Sequence, residues 1–371
     1  MDLSIVIPCL NEEETIEICV NKSFKIINEL NISGEVIVAD NGSIDNSKKI
    51  SLNAGAKVVN VKQKGYGSAL RNGIREASGK YVIIADADNS YDFLEIEKFY
   101  NKLIQGFDIV QGCRFPIGGG TIKKDAMPIS HMYIGNPLFS ILSKLFFSLP
   151  FNDVYCGFRG FDRQKFLKLN HFSTGMVFAI ENLIKFKVAN LKCAEVPITL
   201  HKDGRKKNKS HLNTISDGWL TLRFLIVTCP KWLFFFPSFL LLFFSVYNVS
   251  TISNINFKYV DLDKIEIIGT SMMLFLLSFQ IFMFGLYSSL TAIKLKMLEN
   301  KFIDNFFKFF KLRYAILISL IIFSLLVVDY FFYNYLLVDY YLKKLLYFFG
   351  CFFSTLLLSN SFFISLITFD Q

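Results

Sequence analysis

Lys80–Asp88, with the sequence KYVIIADAD, is the stretch that decides the fold. Its unbroken apolar run predicts a buried parallel strand that ends at Asp86. Asp86 and Asp88 then lie at the carboxyl end of this strand, which is where open α/β sheets bind their ligands. Carboxylate oxygens are preferred ligands of Mg²⁺ and Mn²⁺, so the pair is a candidate for holding a metal-bound diphosphate. An acidic, solvated turn is the alternative explanation of the pair taken alone.

Strands and helices alternate around this stretch through the first part of the chain. The pattern predicts strands at 3–8, 35–40, 57–61, 81–85 and 108–112, and helices at about 12–30, 43–54, 67–77 and 92–103. Alternation at this spacing is typical of a mostly parallel, doubly wound α/β sheet.

Acidic residues follow the ends of three predicted strands. Glu12 follows the first strand, Asp40 ends the second, and Asp88 follows the fourth. The carboxyl ends of parallel strands meet at one edge of a sheet, so we expect these residues to converge on one crevice. Glu12 and Asp40 would suit a nucleoside, and Asp88 a metal on a diphosphate. Asn41 and Ser43 are better explained as a turn and a helix N-cap.

The glycine-containing segment 64–73, KGYGSALRNG, leads into a predicted helix. Glycines at a helix N-terminus allow close approach of a phosphate, but glycines also simply close loops. The segment lacks the Gly-Lys-Ser/Thr sequence of a Walker loop, which excludes that class of nucleotide site.

The second part of the chain is far more apolar than the first. Hydrophobic residues make up 52% of the 371 residues, and they concentrate in four long stretches, at about 230–249, 267–293, 314–333 and 345–367. Each approaches the ~20 residues that a helix needs to cross a bilayer. The sequence therefore predicts a domain at 1–228 and a transmembrane domain at 229–371. Buried helices of a soluble protein are a weaker explanation, because the runs are apolar on all faces.

Charges between the predicted spans indicate their orientation. The segment 294–313 carries six Lys and Arg residues, whereas 250–266 carries two. By the positive-inside rule, 294–313 and the N-terminal domain share the cytoplasmic side. The N-terminus has the pattern of a strand and not of a signal peptide. We therefore expect a multi-pass membrane protein with a cytoplasmic catalytic domain.

The net charge and the cysteines exclude other classes. A net charge of +9 in a membrane protein favours anionic lipid head groups, and no nucleic-acid-binding motif is present, so no nucleic-acid partner is expected. The seven cysteines are scattered without a CxxC pair, which indicates reduced thiols and no zinc site.

Two further segments are predicted to lie at the membrane surface. Segment 135–149 is strongly apolar with one lysine, and 216–227 mixes Trp219 and Arg223 with apolar residues. Trp and Arg at the edge of a span suit the head-group layer. Ordinary core helices remain the alternative for both segments.

Taken in order, these motifs resemble the inverting family 2 glycosyltransferases of the GT-A fold. Within that group the chain is most similar to dolichyl-phosphate mannose synthases and bacterial polyprenyl-phosphate glucosyltransferases. The resemblance covers about residues 3–228. Its matching pieces are 6–8 with 11–12, 40–45, 65–69, 86–88, 112–115 with 118–120, 153–159 and 195–198. The four spans vary more among relatives.

The resemblance implies hexose transfer from a nucleotide sugar, UDP-glucose or GDP-mannose, to a polyprenyl phosphate at the cytoplasmic membrane face. The product would be a lipid-linked sugar for glycan assembly, and Mg²⁺ or Mn²⁺ the cofactor. The implied donor-binding residues are Pro8, Asn11, Glu12, Asp40, Lys64, Gly67, Asp86, Ala87 and Asp88. Asp86 and Asp88 would hold the metal and, with Arg114 and Arg159, carry the catalytic role. The implied acceptor-binding residues are Arg114, His131, Asp153, Arg159 and Arg205, the last within a mobile basic loop at 201–210.

One departure from relatives concerns the metal. Ser90 stands where many relatives carry a glutamine that ligates it, so the full set of ligands stays open.

Two other functions stay open as well. A processive polysaccharide synthase would share the core and spans, but its Thr/Ser-Glu-Asp and Gln-x-x-Arg-Trp motifs are missing. A non-catalytic lipid-sugar binding or flippase module would usually show more charge within the spans. Oligomeric state is open, and a homo-oligomer fits the sequence.

Overall fold

The structure, a computed structural model, describes residues 1–205, 214–252, 260–298, 312–332 and 340–368. The chain divides into two compact units, Met1–Leu225 and Ile226–Gln371. The first unit is an α/β structure and the second is helical, and each is described separately below.

The first unit is built on a seven-stranded mixed sheet. In chain order its strands are β1 (Leu3–Cys9), β2 (Gly34–Asp40), β3 (Lys57–Asn60), β4 (Tyr81–Ile84), β5 (Ile109–Cys113), β7 (Arg159–Asp162) and β8 (Cys193–Pro197). Their spatial order is β3-β2-β1-β4-β7-β5-β8. β7 runs antiparallel to both neighbours, and the other pairs are parallel. The predicted, mostly parallel sheet is confirmed. A second, two-stranded sheet joins β6 (Thr121–Ile122) to β9 (Thr199–Leu200).

Eight helices belong to the described part of the first unit or extend from it. They are α1 (Ile16–Glu29), α2 (Ser47–Asn53), α3 (Tyr66–Arg75), α4 (Ile96–Ile104), α5 (Asn136–Phe147), α6 (Arg163–Lys168), α7 (Phe178–Val188) and α8 (Thr214–Thr228). Short 3₁₀ turns lie at Phe93–Glu95 and Pro116–Gly118, and a π-helical turn at His131–Gly135 leads into α5.

Packing of α3 shows how the sequence positions the site. Its small residues face the sheet, and a methyl group at Gly73 would lie only 2.6 Å from the Val6 side chain. The start of α3 is thereby held next to the ends of β1 and β2. The core beneath is continuous and includes Ile5, Ile7 and Val38, all fully buried.

Within its described residues the second unit has four helices, α9 (Phe236–Ser250), α10 (Leu262–Lys294), α11 (Leu312–Phe332) and α12 (Tyr340–Thr368). A π-helical turn at Lys231–Phe235 precedes α9. Among the described residues, three helical stretches are long and apolar enough to cross a membrane: Lys231–Ser250, Leu262–Lys294 and Tyr340–Ile364. They correspond to three of the predicted spans. α11 overlaps the span predicted at 314–333, but its described apolar stretch is the shorter Ile316–Leu325, so a count of four spans stays a prediction.

Buried serines join these helices in pairs. Ser238 of α9 donates its hydroxyl to the carbonyl of Ser278 on α10 at 3.0 Å. Ser319 of α11 donates to the carbonyl of Ser354 on α12 at 2.9 Å. Small residues allow close helix approach, and their hydroxyls find partners that lipid cannot supply. The unit is therefore built as expected for helices packed within a bilayer.

Candidate active site

A cavity of about 560 Å³ opens at the carboxyl ends of β1, β2 and β4, which are neighbours in the sheet. Seven residues predicted from the sequence line it: Pro8, Glu12, Lys64, Asp86, Ala87, Asp88 and Arg205. Glu12 follows β1, whereas Asp86 and Asp88 follow β4. Of the strand-end acids expected at one crevice, Glu12 and Asp88 line the cavity together with Asp86, whereas Asp40 does not.

Asp86 is held by contacts with Tyr66 and with the backbone at Gly157. Its Oδ1 accepts a hydrogen bond from the Tyr66 hydroxyl at 3.0 Å. A methyl group at Gly157 would lie 2.4 Å from its Oδ2, so the backbone at Gly157 fixes the carboxylate from the other side. Burial, and next the negative charge of Asp88, raise the pKa of Asp86 to about 6. Two carboxylates this close disfavour joint ionisation, so the pair fits a bound cation.

The ligand types favour a hard divalent cation. The described residues contain no group of three or more His, Cys, Asp or Glu arranged as a metal site. Mg²⁺ commonly takes only one or two protein carboxylates and completes its shell with substrate phosphates and water. Asp86 and Asp88 fit that pattern, with the remaining ligands left to a diphosphate.

Arg205 lies against the acidic residues of the cavity. Its Nη1 is 3.1 Å from Oε1 of Glu12, and its Nη2 is 3.6 Å from Oδ2 of Asp88. Asp203 forms a two-pronged pair with the same guanidinium. Backbone bonds hold this segment in place, because Gly204 donates to the carbonyl of Asp88 at 2.9 Å. The sequence interpretation assigned Arg205 to the acceptor. In the structure its guanidinium lies against Glu12 and Asp88, and its contact with an acceptor stays a prediction. The lysines of the predicted basic loop, at 206–210, lie outside the described residues.

The pKa of Glu12 is altered as well. Burial raises its pKa to about 7, and the nearby Arg205 guanidinium opposes that rise. The backbone N–H of Glu12 donates to Oγ of Ser47 at 2.8 Å, which fixes the turn that presents the side chain.

Asp40 and Asn11 shape the turn at 41–44, and neither lines the cavity. Asp40 accepts hydrogen bonds from the backbone N–H groups of Gly42, at 2.9 Å, and Ser43. Burial opposes ionisation of Asp40, but these bonds and Lys48 outweigh it and lower its pKa. Asn11 accepts a bond from the N–H of Ile44 at 2.9 Å. Their donor contacts stay predictions.

Asn41, which follows Asp40, does line the cavity. Its side chain donates to the carbonyl of Gln63 at 2.8 Å and accepts from the N–H of Gly65 at 2.6 Å. Lys64 donates to the Asn41 carbonyl at 2.8 Å. Asn41 therefore joins the turn after β2 to the glycine-containing segment, in keeping with the turn role expected for it.

The predicted acceptor residues have buried structural contacts instead of open positions. Arg114 forms a two-pronged pair with Asp153, at 2.7 and 2.8 Å, and the Asp153 side chain is fully buried. Arg159 is 1% exposed and donates to the carbonyls of Ala179 and Cys156 at 2.7 and 2.9 Å. None of the three lines the cavity. Both guanidinium groups nevertheless lower the pKa of Asp86 from a distance, so they help to keep it ionised.

His131 and Gly67 also lie outside the cavity lining. The Nε2 of His131 is 2.9 Å from the Thr214 hydroxyl, which ties the start of the α5 region to α8. A methyl group at Gly67 would lie 2.6 Å from the carbonyl of Ser173, so Gly67 permits close packing. Phosphate contacts of Arg114, Asp153, Arg159 and His131 therefore stay predictions.

Sequence reasoning missed Tyr66, Gly175, Met176 and Asp217 as cavity residues. Tyr66 lies within the glycine-containing segment 64–73, so the sequence could have indicated it as a cavity residue. Asp217 lies on α8, in a segment interpreted only as a membrane-surface helix. Gly175 and Met176 precede α7 and carry no local pattern of their own.

Residues 4–169 match the model of the family described as Glycosyl transferase family 2. This part of the chain is therefore similar to family 2 glycosyltransferases. It is 35% identical over 238 residues to the low-salt glycan biosynthesis hexosyltransferase Agl6 of Haloferax volcanii, an alignment that covers 64% of this chain and 56% of that protein. It is also 28% identical over 229 residues to the dolichyl-phosphate beta-glucosyltransferase of Saccharomyces cerevisiae, covering 55% of this chain and 68% of that protein. The chain thus spans little more than half the length of Agl6.

The fold of the first unit resembles that of an enzyme of known structure. Glucosyl-3-phosphoglycerate synthase from Mycobacterium tuberculosis, in complex with phosphoglyceric acid, superposes with a TM-score of 0.50 at 21% sequence identity, covering 62% of this chain and 80% of that one. A second structure of that synthase, with Mn²⁺ and uridine diphosphate, gives a TM-score of 0.49 at 22% identity and covers 62% of this chain and 80% of that one. A third, with Mg²⁺ and uridine diphosphate, gives 0.49 at 21% identity and covers 62% and 79%. The GT-A prediction for the first unit is confirmed.

Proposed function

We propose that this protein transfers a hexose from a nucleotide sugar to a polyprenyl phosphate at the cytoplasmic face of a membrane, with inversion at the anomeric carbon. The observation that carries the proposal is the convergence of Glu12, Asp86 and Asp88 on one cavity at the carboxyl edge of the sheet. The match of residues 4–169 to the glycosyltransferase family supports the proposal. So does the similarity to a hexosyltransferase and to a dolichyl-phosphate glucosyltransferase.

Charge in the cavity suits a nucleoside diphosphate bound through a cation. A divalent cation on Asp86 and Asp88 would neutralise the leaving diphosphate as a Lewis acid. The Arg205 guanidinium lies 3.6 Å from the Asp88 carboxylate and would donate hydrogen bonds to phosphate oxygens. Lys64, at the cavity edge, adds a second cation on the donor side.

A phosphate acceptor explains why the site needs no strong base. The second pKa of a phosphate monoester is ~6, so at neutral pH the acceptor is largely a dianion and can attack directly. The work left to the protein is to bring two anions together and to hold the sugar in line. Displacement by the acceptor oxygen on the side opposite the leaving group would invert the configuration.

Apolar surface on the first unit supports a lipid acceptor. On α5, Ile141 is 61% exposed, and on α8, Ile215 and Trp219 are 85% and 62% exposed. Exposed apolar patches of this kind mark interaction sites. We propose that these helices lie in the head-group layer. A long isoprenoid leaves a bilayer at a cost of ~0.8 kcal/mol per CH₂, so the enzyme has to work at the lipid surface.

The experiment is transfer of radiolabelled hexose into lipid extract by the full-length protein in vesicles. UDP-glucose and GDP-mannose are offered in turn with dolichyl or undecaprenyl phosphate and Mg²⁺ or Mn²⁺. We expect labelled lipid from one donor and its loss in Asp88→Asn. The matched control is Asp92→Asn, because Asp92 only caps the adjacent 3₁₀ turn, at 3.1 Å from the N–H of Leu94, and asparagine also caps. Labelled lipid at the unmodified rate in Asp88→Asn would refute the proposal.

A further inference from the structure

Residues 171–177, here called the Gly175 wall, lead directly into α7 and include two residues of the cavity lining. Gly175 and Met176 line the cavity. The carbonyl of Thr174 accepts a hydrogen bond from the N–H of Ser68 at 3.0 Å, at the start of α3. The wall therefore rests on the same glycine-containing segment that carries Tyr66.

The contact between the wall and this segment leaves no room for side chains. A methyl group at Gly65 would lie 2.3 Å from the carbonyl oxygen of Thr174, and Gly65 has φ of +118°, which only glycine adopts readily. At Gly67 a methyl group would lie 3.0 Å from the carbonyl oxygen of Gly175. Tyr66 between them reaches Asp86, so the wall stands beside the carboxylates that would face the diphosphate.

A buried ion pair on α7 fixes the wall in place. Both carboxylate oxygens of Glu181 accept backbone N–H groups, of Phe172 and Ser173, each at 2.8 Å. Lys185 lies 2.9 Å from Glu181 and donates to the carbonyl of Asn170 at 2.7 Å. Both side chains are at most 1% exposed. A loop held by two charge-assisted bonds keeps one position.

Gly175 differs from the other glycines around the cavity. A methyl group added there would meet no atom within 4 Å. Packing therefore does not require glycine at 175, and its backbone φ does not lie in the left-handed region. The missing side chain at 175 therefore leaves open space in the cavity that Asp86 also lines.

We propose that Gly175 sets the size of the subsite for the transferred sugar, with Glu181 and Lys185 as positioning residues that hold the Gly175 wall. This inference rests on the proposed function, because it assigns one part of the cavity to the hexose of a nucleotide sugar. The nucleoside lies toward Glu12 and Asn41, and the diphosphate lies at Asp86 and Asp88. The hexose, attached to the far phosphate, lies against Gly175.

The test compares ligands with and without the sugar. Binding of UDP, UDP-glucose, GDP and GDP-mannose, each with Mn²⁺, is measured by calorimetry on the full-length protein in detergent. In Gly175→Val we expect the active nucleotide sugar to bind at least tenfold more weakly, with less than twofold change for its nucleoside diphosphate. Gly175→Ala should give a smaller change in the same direction.

The control is Gly135→Ala, because a methyl group there meets only the Ser130 carbonyl oxygen, at 3.8 Å, and Gly135 lies outside the cavity lining. Glu181→Gln tests positioning: we expect the affinity ratio of nucleotide sugar to nucleoside diphosphate to fall, whereas a merely structural role would leave that ratio unchanged.

Two failures are distinguishable. If the unmodified protein binds none of the four ligands, the proposed function is wrong, and this inference falls with it. If it binds them but Gly175→Val weakens both ligands equally, or neither, the proposed function stands and the inference about Gly175 is wrong. Gly175→Ala keeps the test decisive should the valine variant fail to fold.

Discussion

Replacing Gly157 by alanine should damage catalysis by moving one carboxylate. The added methyl group would lie 2.4 Å from Oδ2 of Asp86, whereas ordinary contact begins at about 3.4 Å. The backbone at 157 cannot easily give way, because its N–H donates to the Tyr91 hydroxyl at 3.0 Å within a buried region. Asp86 must therefore move by roughly 1 Å, the difference between the two distances.

A shift of this size has a predictable cost. Misplacement of a reacting group by ~1 Å lowers a rate by about 10²-fold, which corresponds to about 2.7 kcal/mol of barrier. The hydrogen bond from Tyr66 to Asp86 would also be strained. We expect kcat for labelled-lipid formation to fall by about two orders of magnitude, and the metal concentration for half-maximal rate to rise.

The assay is steady-state transfer in vesicles across a Mn²⁺ titration, with thermal unfolding measured on the same samples. Gly135→Ala is the control, since it adds the same methyl group where the nearest atom, the Ser130 carbonyl oxygen, is 3.8 Å away. Asp86→Asn provides the comparison for loss of the carboxylate without a change of shape. A Gly157→Ala protein with wild-type kcat and metal dependence would refute the reasoning that this backbone position fixes Asp86.

Three further predictions concern the surroundings of the site. Glu181→Gln and Lys185→Met should each destabilise the fold by about 3–5 kcal/mol, because each removes one partner of a buried ion pair. The double variant should lose less than the sum of the two. Denaturant unfolding measures these losses, and additive losses would contradict the prediction. Burial and the Lys185 charge hold the pKa of His171 well below 6.5. The unfolded chain therefore binds more protons as pH falls below 6.5, so stability should fall there, and less steeply in His171→Phe; equal slopes in thermal melts from pH 7 to 5 would exclude this. Arg205→Ala should weaken nucleotide-sugar binding about tenfold, because it removes the guanidinium that lies against Glu12 and Asp88. Lys202→Ala, at an exposed position, should change it less than twofold. Equal affinities of the two variants in calorimetry would count against a phosphate role for Arg205.

Local pattern was sufficient for much of the fold and for the centre of the site. The apolar run at 80–85 and the alternation around it predicted the first five strands, since burial and strand period are properties of short segments. Parallel neighbours share an edge, so acids at their ends were expected to meet, and Glu12, Asp86 and Asp88 do line one cavity. Asp40, at the end of β2, accepts bonds from its own turn instead. Apolar length alone likewise predicted the helices of the second unit.

Partners distant in sequence were decided only by tertiary structure. Nothing local in Arg159–Asp162 indicates a strand running antiparallel between β4 and β5, because its register depends on two strands far away in the chain. The sequence around Arg114 would be the same whether its guanidinium bound a phosphate or, as here, paired with the buried Asp153. The Gly175 wall became part of the cavity because the Glu181–Lys185 pair on α7 holds it there. Periodicity records which face of an element is buried, but not which side chain a charged group finds once the elements have packed.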